Sequence, residues 1–258
     1  MKSDRSDRIR DHLFARGSAT VEDLCLALSA SPATIRRDLT VLEAQGLIRR
    51  DHGSVRLAEG AGREIAFEAR AREHLAQKRA IAGAAFAHLA PGQTIFLDAG
   101  TTTYQLARRI RTAPMPLTIA TNCIPIAEVL SNLPGVTVLL IGGRYRPENA
   151  SLVGLLAERA LADLWFDALF MGAGAIAPDL HLYSLDPDEA RANALMLTRA
   201  TRVFILTDSS KFGRTLPYRV AQLSPATHLV TDTLTQDWRD RLAANASCAI
   251  PFTEGHAP

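Results

Sequence analysis

Cysteine is scarce in this sequence, and long apolar runs are missing. The three cysteines, Cys25, Cys123 and Cys248, lie far apart and form neither a metal-ligand spacing nor a disulfide framework. The richest apolar run, Val136 to Ile141, has the length of a buried strand and is too short to span a bilayer. The N-terminus is charged and lacks the apolar stretch of a secretory signal. We therefore expect a cytoplasmic protein with reduced cysteines.

Signatures of metal and nucleotide sites are also missing. The seven histidines are scattered, and no Walker A pattern occurs. The run Gly172-Ala173-Gly174 lacks the third glycine and the following helix of a dinucleotide fingerprint. The sequence therefore predicts neither a metal nor another cofactor.

The chain also lacks a strong excess of positive charge. Its net charge is only +2, and its first sixty residues carry ten Lys and Arg against nine Asp and Glu. A DNA-binding domain usually has a basic surface. Any contact with DNA must therefore depend on where individual arginines lie rather than on total charge.

The N-terminal residues carry the signals of three short helices. An apolar stripe follows residues 3–16, and Thr20 with Asp23 forms a capping box for a second helix. Ser31 precedes a third helix, which we expect to end at Gly46 because glycine commonly follows the last helical turn. This series is typical of a helix-turn-helix.

A hairpin is predicted after the third helix. Residues 47–57 alternate between apolar and polar side chains and turn near Gly53. Two strands in this position form the wing of a winged helix-turn-helix, in which basic side chains can reach phosphates. The sequence therefore predicts a winged helix-turn-helix over residues 1–57.

The third helix has one apolar face and one polar face. At about 100° per residue, Ile35, Leu39 and Leu42 face the core and Arg37 lies opposite them. A helix of this layout can enter the major groove, where Arg pairs with guanine and Ser or Thr contacts phosphates and base edges. The residues expected at DNA, including those of the wing, are Thr20, Ser31, Ala33, Thr34, Arg36, Arg37, Thr40, Arg49, Arg50 and His52. A helical cap with a solvated charged face is the alternative.

The rest of the chain alternates short apolar runs with helical stretches. The polar residues 57–62 predict a linker. We expect the region 58–75 to contain this linker and the start of a connecting helix, and residues 76–258 to form a second domain. Such alternation gives a Rossmann-like, mainly parallel α/β fold with right-handed crossovers. The predicted strands are Thr94–Leu97, Leu117–Ala120, Val136–Ile141, Ala168–Met171, Val203–Thr207 and His228–Val230.

Polar residues follow the predicted strands. Asp98 to Thr103 comes after the first strand and opens a helix, whose N-terminus favours anions. Asp208 to Lys211 comes after the fifth strand, and the lysine is a natural charge partner for a phosphate. Residues beyond the carboxyl ends of the strands share one crevice in such folds. Each piece alone is typical of an ordinary turn or cap, but together they predict a polar, phosphate-compatible cleft.

Both halves resemble the DeoR family of transcription regulators, over roughly residues 5 to 232. In the N-terminal half the similarity lies in Ser31 to Leu39, Leu42-Glu43 and Gly46 to Gly53. In the C-terminal half it lies, in family order, in Lys78 with Ile81-Ala82, Asp98 to Thr103, Thr121-Asn122, Gly142-Gly143, Met171 to Gly174 and Asp208 to Phe212. Two segments depart from the family pattern, the wing tip at Ser54-Val55 and the stretch from Ala177 to Asp186.

The resemblance implies a repressor of a sugar operon that binds double-stranded operator DNA as a dimer or tetramer. Its second domain would have the fold of sugar-phosphate isomerases and would sense a phosphorylated sugar or a related metabolite. The residues that would bind this effector are Asp98, Gly100, Thr101, Thr102, Thr103, Thr121, Asn122, Gly142, Gly143, Gly172, Glu189, Asp208 and Lys211. The sequence does not identify the sugar.

Two other functions stay open at this point. The second domain could be an active aldose-ketose phosphate isomerase, with Asp98, Asp167, Glu189 and Lys211 as its carboxylates and cation. Against this, no pair has a spacing that fixes catalytic geometry, and fusion to a DNA-binding domain favours sensing. The chain could also be a constitutive architectural DNA binder, which the intact loop from Asp98 to Thr103 argues against.

Overall fold

Two units make up the chain, Met1–Arg72 and Glu73–Pro258, which we call the N-terminal and C-terminal units. The structure is a computed structural model that describes residues 2–44, 47–51, 53–57, 61–243 and 252–254. Within these ranges, no helix has both the length and the apolar character needed to cross a membrane. The predicted helix end at Gly46 and the predicted DNA contact His52 lie outside the described residues.

The N-terminal unit combines helices with a small antiparallel sheet. Its elements are α1 (Lys2–Arg16), β1 (Ser18–Ala19), α2 (Val21–Leu28), α3 (Pro32–Ala44), β2 (Ile48–Asp51), β3 (Ser54–Leu57) and α4 (Ala61–Arg72). The strands lie in the order β1-β3-β2. The predicted winged helix-turn-helix is therefore confirmed, with β1 as an additional strand. Its two residues pair with Arg56 and Val55, and two residues are too few to give a periodic signal.

One apolar core holds these elements together. Ile9 and Leu13 of α1 are fully buried, and they pack in the same cluster as Ile35, Leu39 and Leu42 of α3. The predicted facing of α3 is thus confirmed. Each fully buried Leu or Ile contributes roughly 1.5–3 kcal/mol to stability. The burial of Ile35, Leu39 and Leu42 therefore determines which face of α3 stays exposed.

The linker predicted over residues 57–62 is wrong at both ends. Leu57 pairs with Ile48 as the last residue of β3, and α4 already begins at Ala61. Alanine, arginine and glutamate dominate α4, and their helix propensity outweighs the cost of Gly62.

Among the described residues of the C-terminal unit, seven parallel strands form one sheet. They are β4 (Thr94–Leu97), β5 (Leu117–Thr121), β6 (Val136–Leu140), β9 (Phe166–Gly172), β12 (Ala200–Leu206), β14 (Thr227–Thr231) and β15 (Phe252–Glu254). Their order is β15-β14-β12-β9-β4-β5-β6, so the direction of strand addition reverses between β4 and β9. This is the order of a doubly wound fold. All six predicted strands are confirmed, whereas β15 was not predicted.

The connections contain helices, a hairpin and a second sheet. The helices are α5 (Leu75–Phe86), α6 (Thr101–Thr112), α7 (Ile124–Leu130), α8 (Leu155–Ala162), α9 (Pro187–Met196) and α10 (Gln236–Ala243). The hairpin joins β7 (Arg144–Arg146) to β8 (Ser151–Val153), and the antiparallel sheet contains β10 (Ala175–Ile176), β11 (His181–Ser184) and β13 (Tyr218–Gln222). The sequence predicted none of these five strands. Three of them have only two or three residues, and the other two, His181–Ser184 and Tyr218–Gln222, lack the apolar run of the buried strands.

Candidate functional site

The exposed face of α3 carries most of the side chains predicted at DNA. The Ser31 hydroxyl oxygen accepts a hydrogen bond from the Thr34 N–H (3.3 Å) and lies 2.9 Å from the Thr34 hydroxyl, so Ser31 caps the helix. Ala33, Arg36 and Arg37 are exposed. Neither arginine side chain forms a hydrogen bond or an ion pair with another described residue. These two guanidinium groups are therefore available to an external anion.

Thr20 has a structural role that the capping-box prediction anticipated. Its hydroxyl accepts from the Asp23 N–H (3.1 Å), and the Asp23 carboxylate accepts from the Thr20 N–H (3.0 Å). Hydrogen bonds from the Thr20 N–H and hydroxyl to the Asp23 carboxylate lower the pKa of Asp23. The cap fixes the start of α2, and α2 packs against α3. Thr20 therefore helps to position α3 by fixing α2.

The two arginines of β2 differ in their surroundings. Arg50 turns back onto α3, where it donates to the Thr40 hydroxyl (2.9 Å) and forms an ion pair with Glu43 (3.0 Å). Thr40 in turn donates to the Arg36 carbonyl (2.9 Å). Arg49 is exposed and has no such partner among the described residues. Arg50 therefore joins the wing to α3, and Arg49 is the wing arginine that remains available.

A partly buried ion pair, which was not predicted from the sequence, holds α3 against α1. Asp38 is 5% exposed, and Arg5 donates to its two carboxylate oxygens at 2.5 and 3.3 Å. Asp38 lies three residues after Ile35 and four before Leu42, within the buried arc. That spacing was a readable signal, because an acidic residue on a buried arc needs a cation from a neighbouring element.

The second candidate site lies where the order of the large sheet reverses. Asp98 directly follows β4 and Gly172 ends the adjacent strand β9, and the Gly172 N–H donates to the Asp98 carboxyl oxygen (3.3 Å). The crevice at such a reversal point is where doubly wound folds bind ligands. We call the crevice expected there the switch-point cleft and assign to it Asp98, Thr101, Thr102, Asn149, Gly172 and Glu189.

The Asp98 carboxyl group is the most perturbed acid in the cleft. The residue is only 4% exposed. Burial and, to a smaller extent, the charge of Glu189 raise the pKa of Asp98 to about 8, although hydrogen bonds from the Gly172 and Ala99 N–H groups oppose the increase. At neutral pH the protonated form therefore predominates, and this form can donate a hydrogen bond as well as accept one.

The threonines of the cleft divide into two groups. Thr103 donates to the Asp98 carbonyl (2.7 Å), and Thr121 donates to the last carbonyl of β4 (2.6 Å), so both hydroxyls tie the loop to the sheet. Thr101 and Thr102 open α6, and their hydroxyls bond to no other described residue. Together with the first N–H groups of α6, they are the donors available to an anion.

Asn122 and the predicted glycines shape the backbone around the cleft. The Asn122 side-chain oxygen accepts from the N–H that follows Asp98 (3.0 Å), and Gly100 is the N-cap of α6. At Gly143 a Cβ would lie 2.8 Å from the Val153 carbonyl, so only glycine fits there. Gly142 is exposed and faces open space. The pair Gly142-Gly143 therefore positions the β7–β8 hairpin.

Glu189 is the centre of a polar network from several elements. One carboxylate oxygen accepts from Arg146 (2.8 Å), Asn149 (2.8 Å) and Ser151 (3.2 Å), and the other accepts from Ser184 (3.3 Å). The Glu189 side chain is 13% exposed. Asn149 also donates to the Ala99 carbonyl (3.0 Å), next to Asp98. The four side-chain partners were not predicted from the sequence.

Lys211 and Asp208 lie beyond the next strand, β12. The Asp208 carboxylate accepts from the Ser210 N–H (3.0 Å) and so caps a 3-10 turn, Ser209–Lys211. Lys211 is half-buried, and its side chain forms no hydrogen bond or ion pair with another described residue. Because β12 neighbours β9, Lys211 follows a strand end at the same edge of the sheet as Asp98.

Asp167 lies at the opposite edge of the sheet. Its carboxylate accepts from the N–H of Thr94, the first residue of β4 (2.7 Å), and the residue is exposed. The hypothesis that placed Asp167 among the acids of an isomerase site is therefore wrong. The predicted strand Ala168–Met171 already had Asp167 before its first residue, away from the carboxyl ends of the strands.

Comparisons with known proteins match both units. Residues 5–60 match the DeoR-like helix-turn-helix domain, and residues 73–233 match the DeoR C terminal sensor domain. Similar curated proteins include the HTH-type transcriptional regulator GlpR of Haloferax volcanii (36% identity, covering 100% of this chain and 99% of that protein). They also include the putative aga operon transcriptional repressor of Escherichia coli O157:H7 (33%, covering 89% and 86%) and the lactose phosphotransferase system repressor of Streptococcus mutans (31%, covering 94% and 96%).

Among solved structures, the chain is similar to ribose 5-phosphate isomerase A from Neisseria gonorrhoeae. The match covers 52% of each chain at 12% identity, with a TM-score of 0.39.

Proposed function

The chain belongs to the DeoR family of transcription regulators, and we propose that it represses a carbohydrate operon and loses affinity for its operator when a phosphorylated sugar binds the switch-point cleft. The observation that carries the proposal is the presence in one chain of α3, with two available guanidinium groups, and a polar cleft at the strand reversal. The names of relatives, repressors of an aga operon and of a lactose phosphotransferase system, support the carbohydrate class. Binding to DNA would place its action in the cytoplasm.

The two ends of the cleft suit the two ends of a sugar phosphate. Thr101, Thr102 and the N-terminus of α6 offer hydroxyl and N–H donors, and Lys211 offers a positive charge, so we assign the phosphate to this end. Asp98 and Glu189 bring two carboxyl groups to the other end. Carboxyl groups bind sugar hydroxyls well and repel a second anionic group. We therefore expect neutral polyols with one phosphate as ligands.

The test is DNA binding measured by fluorescence anisotropy. The full chain is titrated onto labelled DNA from upstream of its own gene, with and without a panel of sugar phosphates, the matching free sugars and inorganic phosphate. One sugar phosphate should raise the Kd for DNA at least tenfold, and by linkage DNA should weaken sugar phosphate binding by the same factor. If no sugar phosphate at millimolar concentration changes the Kd, the sensing half of the proposal fails.

The same samples test the competing isomerase hypothesis. We propose that the C-terminal unit senses its ligand without converting it, because Glu189 already accepts hydrogen bonds from four side chains and Asp167 lies at the far edge of the sheet. NMR spectra of the bound sugar phosphate should therefore stay unchanged over hours. Turnover to the isomeric sugar would establish the enzyme instead.

Replacing Arg37 with Ala should weaken operator binding by about 1–3 kcal/mol, the usual cost of losing a bidentate contact to guanine. Arg37 is exposed on the face of α3 opposite the core, and its side chain has no partner among the described residues. Anisotropy at fixed salt measures the change, because salt alone shifts such affinities. Arg159→Ala, which removes an exposed arginine of α8, should leave the Kd unchanged. A change of less than twofold for Arg37→Ala would remove this residue from the interface.

Replacing Lys211 with Ala should weaken sugar phosphate binding about 10- to 100-fold. A hydrogen bond to a charged group contributes about 1.5–3 kcal/mol, and this is the contribution that the variant loses. The Kd for operator DNA in the absence of sugar phosphate should equal that of the wild type. Isothermal titration with the sugar phosphate that releases DNA measures the loss. Arg214→Ala, three residues further on and exposed, is the matched control. Unchanged affinity for the sugar phosphate would show that Lys211 does not contact it.

A further inference from the structure

The turn that carries Lys211 is held at both of its ends. It follows β12 and contains three residues, Ser209–Lys211, which Asp208 caps from within the same loop. A local cap of this kind shapes a turn, but it does not fix the turn against other elements. The contacts that fix it must therefore come from outside the loop, and the structure shows such contacts at each end.

Asp232 holds the first residue of the turn. It directly follows β14, the strand that pairs with β12. One of its carboxylate oxygens accepts a hydrogen bond from the Ser209 N–H (2.7 Å), and the other accepts one from the Ser209 hydroxyl (3.1 Å). Hydrogen bonds to a charged group are stronger than those between neutral groups. The start of the turn is therefore tied firmly to the end of the neighbouring strand.

Phe212 holds the other end of the turn. It forms an isolated parallel bridge with Ile176, and its ring meets the Trp238 ring edge-on, with 4.9 Å between the ring centroids. The next N–H, that of Gly213, donates to the Ile176 carbonyl (2.9 Å). These contacts do not involve Asp232. Removing the Asp232 carboxylate should therefore release the beginning of the turn and leave its end in place.

Charge pairing does not explain the Asp232 carboxylate. The residue is half-buried, and no lysine, arginine or histidine of the described ranges forms an ion pair with it. Besides Ser209, its hydrogen-bond donor is the Thr231 hydroxyl (3.3 Å). A partly buried charge needs hydrogen bonds to compensate for the water that it loses. Here the turn supplies most of them, and both carboxylate oxygens are occupied.

We propose that Asp232 positions Lys211 for the phosphate group of the ligand and does not touch the ligand itself. The inference rests on the proposed function, in which Lys211 binds that phosphate. A lysine ammonium is carried on a flexible four-carbon stem, so the place of its backbone determines the region that the charge can reach. A group that is already in place binds more tightly, because less freedom is lost on binding. Direct contact is disfavoured, since a carboxylate with both oxygens occupied repels a phosphate.

The test is a double-mutant cycle between Asp232 and Lys211, measured by isothermal titration of the full chain with the sugar phosphate that releases DNA. Asp232→Ala should weaken binding about tenfold in the wild-type chain and less than about twofold in the Lys211→Ala chain, because no ammonium is then left to position. Asp240→Ala, which removes an exposed carboxylate of α10, should leave the affinity unchanged. Unchanged affinity in Asp232→Ala, or losses that multiply in the double variant, would overturn the proposal.

Ser209→Ala covers the case in which Asp232→Ala fails to fold. This variant removes the hydroxyl donor to Asp232 and keeps the N–H donor. It should weaken sugar phosphate binding about threefold, and the loss should vanish when Lys211 is replaced by Ala. Asp232→Asn keeps one side-chain oxygen as an acceptor, so it should bind more tightly than Asp232→Ala. A Ser209→Ala loss that persists without the lysine contradicts the proposal.

A measurement without sugar separates this proposal from the proposed function. The chain contains three lysines, Lys2, Lys78 and Lys211, so reductive methylation with isotope-labelled formaldehyde gives few NMR signals and keeps each charge. Lys211→Arg identifies the Lys211 signal. In the free chain Asp232→Ala should move that signal by more than its line width, whereas Asp240→Ala should not. A signal that stays in place would overturn the positioning role, and a signal that moves in a chain that binds no sugar phosphate would overturn only the proposed function.

Discussion

Asp98→Asn should remove most of the pH dependence of the C-terminal unit's stability between about pH 4 and pH 8. Burial raises the pKa of Asp98 from 3.8 to about 8. The folded chain therefore holds a proton that the unfolded chain releases. The stabilisation is fully present below pH 4 and is lost as the pH rises towards 8, by about 1.4 kcal/mol for each pH unit in that window. Asparagine has a similar shape and does not ionise, so this slope should vanish.

Urea denaturation followed by tryptophan fluorescence measures the effect. Both tryptophans, Trp165 and Trp238, lie in the C-terminal unit, so their emission reports the unfolding of that unit. Asp167→Asn is the matched control, because that carboxylate is exposed at the opposite edge of the sheet. The control should keep the wild-type slope. An unchanged slope in Asp98→Asn would mean that the carboxyl group ionises normally in the folded chain.

The protonated Asp98 also bears on ligand choice. The protonated carboxyl group of Asp98, with the Glu189 side chain near it, supplies both a donor and an acceptor to the same region of the cleft. A sugar hydroxyl needs both kinds of partner. We therefore expect sugar phosphate affinity to decrease as the pH rises above 8, where Asp98 loses its proton and two like charges face each other.

The sequence predicted the parts of the cleft that follow strands of the large sheet. Asp98 was located because the apolar run Ile95 to Leu97 precedes it, and Lys211 was located because it follows β12 and a run of hydroxyl residues. These positions depend on local patterns, which a single sequence contains. The doubly wound fold then implied that both strand ends reach one edge of the sheet.

The sequence did not predict the residues that hold Glu189 in place. Arg146, Asn149 and Ser151 lie 43, 40 and 38 residues before it, on a hairpin whose strands have three residues each. Such strands give no periodic signal, and the pairing across forty residues depends on how the chain crosses the sheet. Asp38 differs, because its place on the buried arc of α3 was visible and only its partner on α1 was not.

Arg146→Met should destabilise the C-terminal unit by about 3–5 kcal/mol, the usual cost of leaving one member of a buried ion pair without its partner. The Arg146 and Glu189 side chains are 14% and 13% exposed, and their closest atoms are 2.8 Å apart. The same guanidinium lies 3.2 Å from Asp186, which caps α9 by accepting hydrogen bonds from two N–H groups. Methionine keeps most of the volume but leaves two carboxylates near the protonated Asp98 without a cation.

The neighbouring arginine provides a control with the same chemistry and a different environment. Arg144 lies on the same hairpin strand as Arg146 and pairs with Asp188 of α9, but its side chain is 60% exposed, so Arg144→Met should change stability little. A double variant, Arg146→Met with Glu189→Gln, should recover part of the lost stability, because only the Asp186 carboxylate then lacks its cation. Equal effects of Arg146→Met and Arg144→Met in urea denaturation would show that the network around Glu189 is not held by its ion pair. In that case the hydrogen bonds from Asn149, Ser151 and Ser184 alone would have to fix the carboxylate that we place at the sugar end of the cleft.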